Sequence, residues 1–176
     1  EGKVDRFIEK PSRDRVYTDH VNTGIYIISN SLLNEVPKDT PFDFARDLFP
    51  KLLSQNRRVF AIPFDGYWCD VGSCASYLIA NSDALSGKLR LKLNTPEVRN
   101  GIWTKTALKR DVVYKPPCYI GENVSIGKGS IIGPFTVISG GSSVGKDAVI
   151  KNSIIDGASV DDRSRVSGSV ICRGAK

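Results

Sequence analysis

The residues best equipped for chemistry lie in the stretch Gly66-Tyr67-Trp68-Cys69-Asp70-Val71-Gly72-Ser73. One acidic residue, Asp70, sits there between aromatic side chains and a tight glycine turn. An alternating apolar run over residues 58–64 predicts a strand before it, and residues 75–85 predict a helix after it. Asp70 therefore falls in a loop carried on two rigid elements, where chemistry is usually placed. A carboxylate in that position can hold a metal ion, but it can equally cap the helix or close the turn. Glu9 and Lys10, followed by Pro11, end a strand predicted over residues 3–11. From a strand end, side chains reach a ligand lying beside a sheet. The Lys10 ammonium can neutralise a phosphate and Glu9 can accept hydrogen bonds from sugar hydroxyls; the alternative is an exposed charged pair. Asn22 and Thr23 offer an amide and a hydroxyl at the entrance to Gly24-Ile25-Tyr26-Ile27-Ile28, although by themselves they also suit a turn. His20 is the single histidine, which excludes a His-rich metal site, and with no evident partner it reads as a loop residue.

The elements that must position these groups follow from pattern. The near-continuous apolar run 24–28 suits a strand covered on both faces. Residues 31–36 predict a short helix stopped before Pro37. A stronger helix starts at Asp43, a good N-cap, with Phe44, Leu48 and Leu52 four residues apart and Phe49 and Leu53 widening the apolar face. Pro50 should kink or divide it. Ser73 is the expected N-cap of the helix over 75–85, and Gly87 its stop. Strands alternating with helices predict an α/β layer over residues 1–90. Too few helices are present to cover both faces of a parallel sheet, so the layer is expected to be completed by further chain or to pack against something else. Residues 91–118 read as a connector in which 98–108 contributes a strand or two and Pro116-Pro117 marks the end.

The pattern then changes. Ile120, Ile126, Ile132, Ile138, Val144 and Ile150 recur every six residues, and Gly121, Gly127, Gly133 and Gly145 follow four of them. Four residues after each aliphatic position come Val124, Ser130, Thr136, Ser142, Ala148 and Ile154, mostly small. Hexapeptide periodicity predicts a parallel β-helix over residues 119–176, with three short strands per triangular coil and about three coils. The aliphatic side chains stack inside, and glycine is expected at corners that need unusual backbone angles. After Ile150 the spacing becomes irregular, through Ile155, Val160, Val166 and Ile171. The open end at Lys176 is expected to be covered by further chain or by an oligomer.

Composition sets limits. The chain has 176 residues, 40% hydrophobic and 25% charged, as expected of a soluble globular protein. Lys and Arg balance Asp and Glu in residues 1–90, at 12 each, but outnumber them 13 to 7 in 91–176. The excess forms no block and aromatics are not interleaved with it, so a solvated basic surface is expected and not a nucleic-acid interface. No apolar run approaches the roughly 18 residues of a membrane span. The four cysteines lack CxxC spacing and are expected to be reduced cytoplasmic thiols. A chain that starts at Glu1, with no methionine and no secretory signal, is expected to be a piece of a longer one.

In this order, Phe7-Ile8-Glu9-Lys10-Pro11, Asn22-Thr23-Gly24-Ile25-Tyr26, the Tyr67–Ser73 stretch and the hexapeptide repeat resemble the sugar-nucleotide pyrophosphorylases. Residues 42–50 and 66–73 look most like the mannose-1-phosphate guanylyltransferase branch. The resemblance implies an α/β nucleotidyltransferase portion, here its sugar-phosphate side, followed by a left-handed parallel β-helix. It further implies magnesium-dependent transfer, in which a sugar 1-phosphate attacks the α-phosphorus of GTP or another nucleoside triphosphate and pyrophosphate leaves. Lys10 matches the lysine on the sugar phosphate, Glu9 and Asn22 match sugar-hydroxyl contacts, and Thr23 and Trp68 would line the pocket. Asp70 matches one of two aspartates that hold Mg²⁺. The family's glycine-rich nucleotide loop, its first metal aspartate and its base-reading residues are not found in the 176 residues. The expected partners are therefore the nucleotide-binding half, and a second copy through the β-helix, with neither nucleic acid nor membrane. A glucose-1-phosphate adenylyl- or uridylyltransferase and a non-catalytic subunit of the same fold are the alternatives. Acyltransferases that share the repeat depend on histidines, and residues 88–176 have none, so the repeat is expected to be structural.

Overall fold

A computed structural model describes residues 2–89 and 91–175; Arg90, at the expected domain boundary, and Lys176, at the expected open end, lie outside the described residues. The chain forms two compact units that divide between Gly66 and Tyr67.

In the first unit the core is small and aromatic. Asp43 caps a helical segment as expected: its Oδ1 accepts from the backbone N–H groups of Ala45 (2.8 Å) and Arg46 (2.9 Å), and Asp47 Oδ2 accepts from the Asp43 N–H at 2.7 Å. Pro50 divides the segment. Having no N–H, it cannot donate four residues back, and the backbone widens into a π-helical turn, Phe44–Leu48, before α1 (Phe49–Ser54). The Phe49 N–H reaches five residues back, to Phe44 O. Leu48, Phe49 and Leu52 are buried, and Phe7, Leu32, Phe42, Phe44 and Val59 pack against them. The short helix expected over 31–36 is a 3₁₀ helix, Asn30–Glu35.

The strands expected in this unit do not form a ladder. Among the described residues, their pairing is limited to an antiparallel bridge between Lys3 and Phe60, flanked by Val4 N–H to Val59 O (2.8 Å) and Ala61 N–H to Gly2 O (2.7 Å). Ile25 is 77% exposed and Ile27 100% exposed, so the run 24–28 is not covered on both faces. An apolar run becomes a strand only where neighbours accept its N–H groups and cover its faces; here the described residues cover the Tyr26 side but leave Ile25 and Ile27 open and pair no strand with the run. The helices and this bridge are the described parts of the α/β nucleotidyltransferase portion.

The second unit opens with α2 (Cys74–Leu85). Ser73 caps it in a reciprocal capping box with Ser76, and Gly87, at φ +78, ends it as expected. The parallel β-helix follows, about four turns where the repeat predicted about three. One face stacks β2 (Ile102–Thr104), β4 (Cys118–Ile120), β7 (Thr136–Ile138), β10 (Ile154–Asp156) and β13 (Val170–Cys172), with β1 (Glu97–Arg99) antiparallel to β2 at its edge. A second face stacks β3 (Val113–Tyr114), β6 (Ile131–Ile132), β9 (Val149–Lys151) and β12 (Arg165–Ser167). The third stacks β5 (Ser125–Ile126), β8 (Ser143–Val144) and β11 (Ser159–Val160). The ladder thus already includes strands within 91–118.

All six aliphatic repeat positions, Ile120 to Ile150, lie in one buried stack. The small positions four residues later are also inside, where their hydroxyls serve the backbone of neighbouring turns. Ser130 Oγ donates to Gly145 O (2.7 Å) and accepts from the Ala148 N–H (3.2 Å); Ser142 Oγ donates to Ile155 O (3.3 Å) and accepts from the Gly157 N–H (3.0 Å). The glycines correct one expectation. Gly133 has φ +98, but Gly121, Gly127 and Gly145 do not have positive φ. A Cβ on any of these three would lie within 2.5 Å of backbone in an adjacent coil. Close approach between coils, not an unusual angle, demands glycine there. At the upstream end Leu108 packs against the stack and Lys109 Nζ donates to Ile126 O at 2.6 Å. Among the described residues no helix is long and apolar enough to cross a membrane, and all four cysteines are free.

Candidate functional site

The candidate residues fall in both units. In the first, Glu9 is half-buried and Lys10 exposed. Lys10 has φ +48, a left-handed conformation costly for a residue with a Cβ, and it precedes Pro11. Neither side chain has a hydrogen bond or ion pair among the described residues. Phe7, two residues upstream, holds the segment by packing its ring 5.3 Å from that of Phe49.

Asn22 organises the second group. Its Oδ1 accepts from the Gly24 N–H at 3.0 Å, closing a turn in which Gly24 has φ +76. Its Nδ2 donates to the Tyr26 hydroxyl at 2.6 Å, and the Tyr26 ring meets Phe49 edge-on at 4.9 Å. Phe49 therefore anchors both the Glu9–Lys10 segment, through Phe7, and the Asn22–Thr23 turn, through Tyr26. Thr23 is half-buried beside it. The Asn22–Tyr26 bond was not anticipated, although a polar pair four residues apart across a glycine was its available signal. His20 does have neighbours, Thr18 Oγ1 at 3.0 Å and Asp19 Oδ1 at 3.5 Å, but all are exposed in a loop.

In the second unit, Trp68 is 43% exposed, Cys69 is half-buried and Asp70 is exposed. The Asp70 carboxylate has no hydrogen bond or ion pair among the described residues. It does not cap α2, because Ser73 does: Ser73 Oγ accepts from the Ser76 N–H at 3.1 Å. Both Asp70 oxygens lie 3.9 Å from where a Cβ on Gly72 would stand, so a small residue faces the carboxylate. Upstream, the Tyr67 hydroxyl donates to Asp83 Oδ2 at 3.0 Å, and Lys88 Nζ lies 2.6 Å from Asp83 Oδ1. Lys88, and then Tyr67, hold the Asp83 carboxyl below the usual range. Partial desolvation first, and donation to Asp83 second, push Tyr67 up to about 12. Among the described residues no group of three or more His, Cys, Asp or Glu could hold a metal by itself.

The family models divide the chain further along than the two compact units do, the first running on through α2. Residues 1–87 match the model described as "Nucleotidyl transferase", and residues 114–176 match "GMPPB C-terminal domain". The chain is 33% identical, over 88% of its length, to the UTP–glucose-1-phosphate uridylyltransferase of Synechocystis sp., covering 41% of that protein. It is also 33% identical, over its whole length, to the glucose-1-phosphate adenylyltransferases of Bacillus cereus and Bacillus mycoides, covering 44% of each. The chain thus spans less than half the length of these curated relatives. By motif, architecture and sequence it belongs to the sugar-1-phosphate nucleotidyltransferase family, of which it contains part of the nucleotidyl transferase domain and a GMPPB C-terminal domain.

Proposed function

We propose that this chain carries the sugar-phosphate side of the site of a magnesium-dependent transferase that makes GDP-mannose from mannose 1-phosphate and GTP. The observation that carries the proposal is the Asp70 carboxylate, exposed and unpartnered among the described residues on a loop whose following helix is capped by Ser73. Carboxylate oxygen suits a hard cation, and magnesium is commonly held by one or two carboxylates with substrate phosphates, so Asp70 fits as one ligand without a cluster around it. When bound, the ion would offset negative charge on the reacting phosphates. Lys10 neutralises the sugar phosphate, Glu9 and Asn22 orient the sugar through its hydroxyls, and Thr23 and Trp68 line the pocket and exclude water. A phosphate oxygen of the sugar 1-phosphate bonds to the α-phosphorus as the bond to pyrophosphate breaks, so the work of the protein is positioning and charge.

The mannose and guanine assignment draws on the likeness of residues 42–50 and 66–73 to that branch and on the GMPPB C-terminal domain. Its rival, glucose 1-phosphate with ATP or UTP, is favoured by the relatives' names. In this reading residues 1–90 are the sugar-phosphate side, 91–118 the connector and 119–176 the β-helix, and the protein works in the cytoplasm. The further partner in this reading is a second copy of the chain, associating through the β-helix.

The test is pyrophosphate release by the full-length protein, with Mg²⁺, across mannose and glucose 1-phosphates paired with GTP, ATP and UTP. Asp70→Asn and residues 1–176 alone are assayed beside it. Turnover of mannose 1-phosphate with GTP is expected, together with a loss of about 100-fold or more in Asp70→Asn and no turnover by residues 1–176. Preference for a glucose 1-phosphate pair would replace the substrates. Undiminished activity of Asp70→Asn would remove its role, and silence on every pair would favour a non-catalytic subunit.

A further inference from the structure

The Asp70 loop is tied at both ends to the same helix. Downstream, Ser73 caps the start of α2; upstream, the Tyr67 hydroxyl reaches Asp83 in its last turn, at 3.0 Å. The Asp83 side chain is only 13% exposed, and Lys88 Nζ, 2.6 Å away, occupies its other oxygen. The hydrogen bond and the cap thus hold the chain on both sides of Asp70, three residues before it and three after it.

We propose that Tyr67 is a positioning residue for the Asp70 carboxylate, with Asp83 and Lys88 fixing the acceptor that holds its hydroxyl. The proposal rests on the metal-holding role of Asp70 given above. The two groups keep these roles through neutral pH, because Lys88 holds the Asp83 carboxyl low and the Tyr67 hydroxyl, pushed up to about 12, stays protonated. Tyr67→Phe keeps the ring and removes the hydroxyl's contacts with Asp83 and with the Cys69 thiol; the loop then hangs from Ser73.

The experiment uses the full-length protein and has two readouts. Without metal, backbone amide exchange over residues 68–72 should rise about tenfold in Tyr67→Phe and in Asp83→Ala, as expected for loss of a hydrogen bond to a charged group. With substrates, the Mg²⁺ concentration for half-maximal rate should rise by a similar factor while KM for the sugar phosphate stays unchanged. Tyr77→Phe is the control: Tyr77 is 40% exposed on the same helix, its hydroxyl has no hydrogen bond among the described residues, and both readouts should stay put. Unchanged exchange over 68–72, or Mg²⁺ and sugar constants that move together, would overturn the positioning role while leaving Asp70 as a ligand. An Asp70→Asn variant with intact Mg²⁺ dependence would remove the ligand, and the positioning role with it.

Discussion

Gly127 tests why glycine recurs in the β-helix. A Cβ built there lies 2.5 Å from Gly145 C and from Lys146 N, and 2.6 Å from Gly145 O. Carbon atoms sit comfortably at about 3.5–4.0 Å, so Gly127→Ala requires the coils to part by about 1 Å. The atoms in the way are backbone, and the 2.8 Å bond from the Gly127 N–H to Val144 O holds the same two coils together. Parting them carries that bond beyond useful length. One bond at about 1 kcal/mol, with strain of about 1–3 kcal/mol from overpacking, gives a loss of about 2–4 kcal/mol. Gly141 is the comparison, since it has φ +75 and a Cβ there meets nothing within 4 Å. Gly141→Ala should therefore cost only the left-handed conformation, about 1 kcal/mol. Urea unfolding of the two variants measures the difference. A Gly141→Ala cost equal to or above that of Gly127→Ala would refute the close-approach argument and restore the backbone-angle one.

Three further outcomes are expected. Burial pushes the Cys118 thiol from 9.0 up to about 11, so the folded state keeps a proton that the unfolded chain releases. That contribution to stability is complete below about pH 9 and is lost as pH rises through about 11; Cys118→Val should flatten this part of the unfolding profile, and an unchanged slope would exclude the thiol as its source. Ser73→Ala removes the cap of α2 and should cost about 1 kcal/mol, read as faster amide exchange in the first turn of α2; no change would mean that the cap is dispensable. Lys10→Gly and Lys10→Ala both remove the ammonium, yet the glycine variant should unfold about 1 kcal/mol less readily because φ +48 no longer strains a Cβ. Equal thermal unfolding would show that the left-handed backbone at Lys10 is not maintained.

The legible parts of the sequence were those whose signal is local or strictly periodic. Asp43, Ser73 and Gly87 announce helix ends through side-chain and backbone chemistry confined to one turn, and each does so in the structure. The hexapeptide stack was legible because each coil pairs at an 18-residue offset, as in Cys118 with Thr136 and Ser125 with Ser143. It faded where the offset shortens to 16, as in Ile154 with Val170, and was invisible upstream, where Ile102 pairs with Cys118 at the same shorter offset. The runs at 24–28 and 58–64 misled for a different reason: their apolar residues speak of neighbours elsewhere in space, and local pattern cannot say which residues provide them. The site divides in the same way. Asp70 and Lys10 stood out by residue type and flanking turn. The contacts that support such groups, Asn22 to Tyr26 and Tyr67 to Asp83, are made by ordinary residues at spacings that carry no signature.

The register of the β-helix also makes it a ruler. Each coil consumes 16 to 18 residues but advances the axis by only about 4.8 Å, the spacing of neighbouring strands. Inserting one whole coil should lengthen the rod by that step and leave everything attached at its ends facing the same way. Inserting a single hexapeptide should instead carry the downstream end a third of the way round the triangle. For whatever the downstream end carries, the chain length between the ends thus sets a direction more strongly than a distance, and evolution can adjust the two separately.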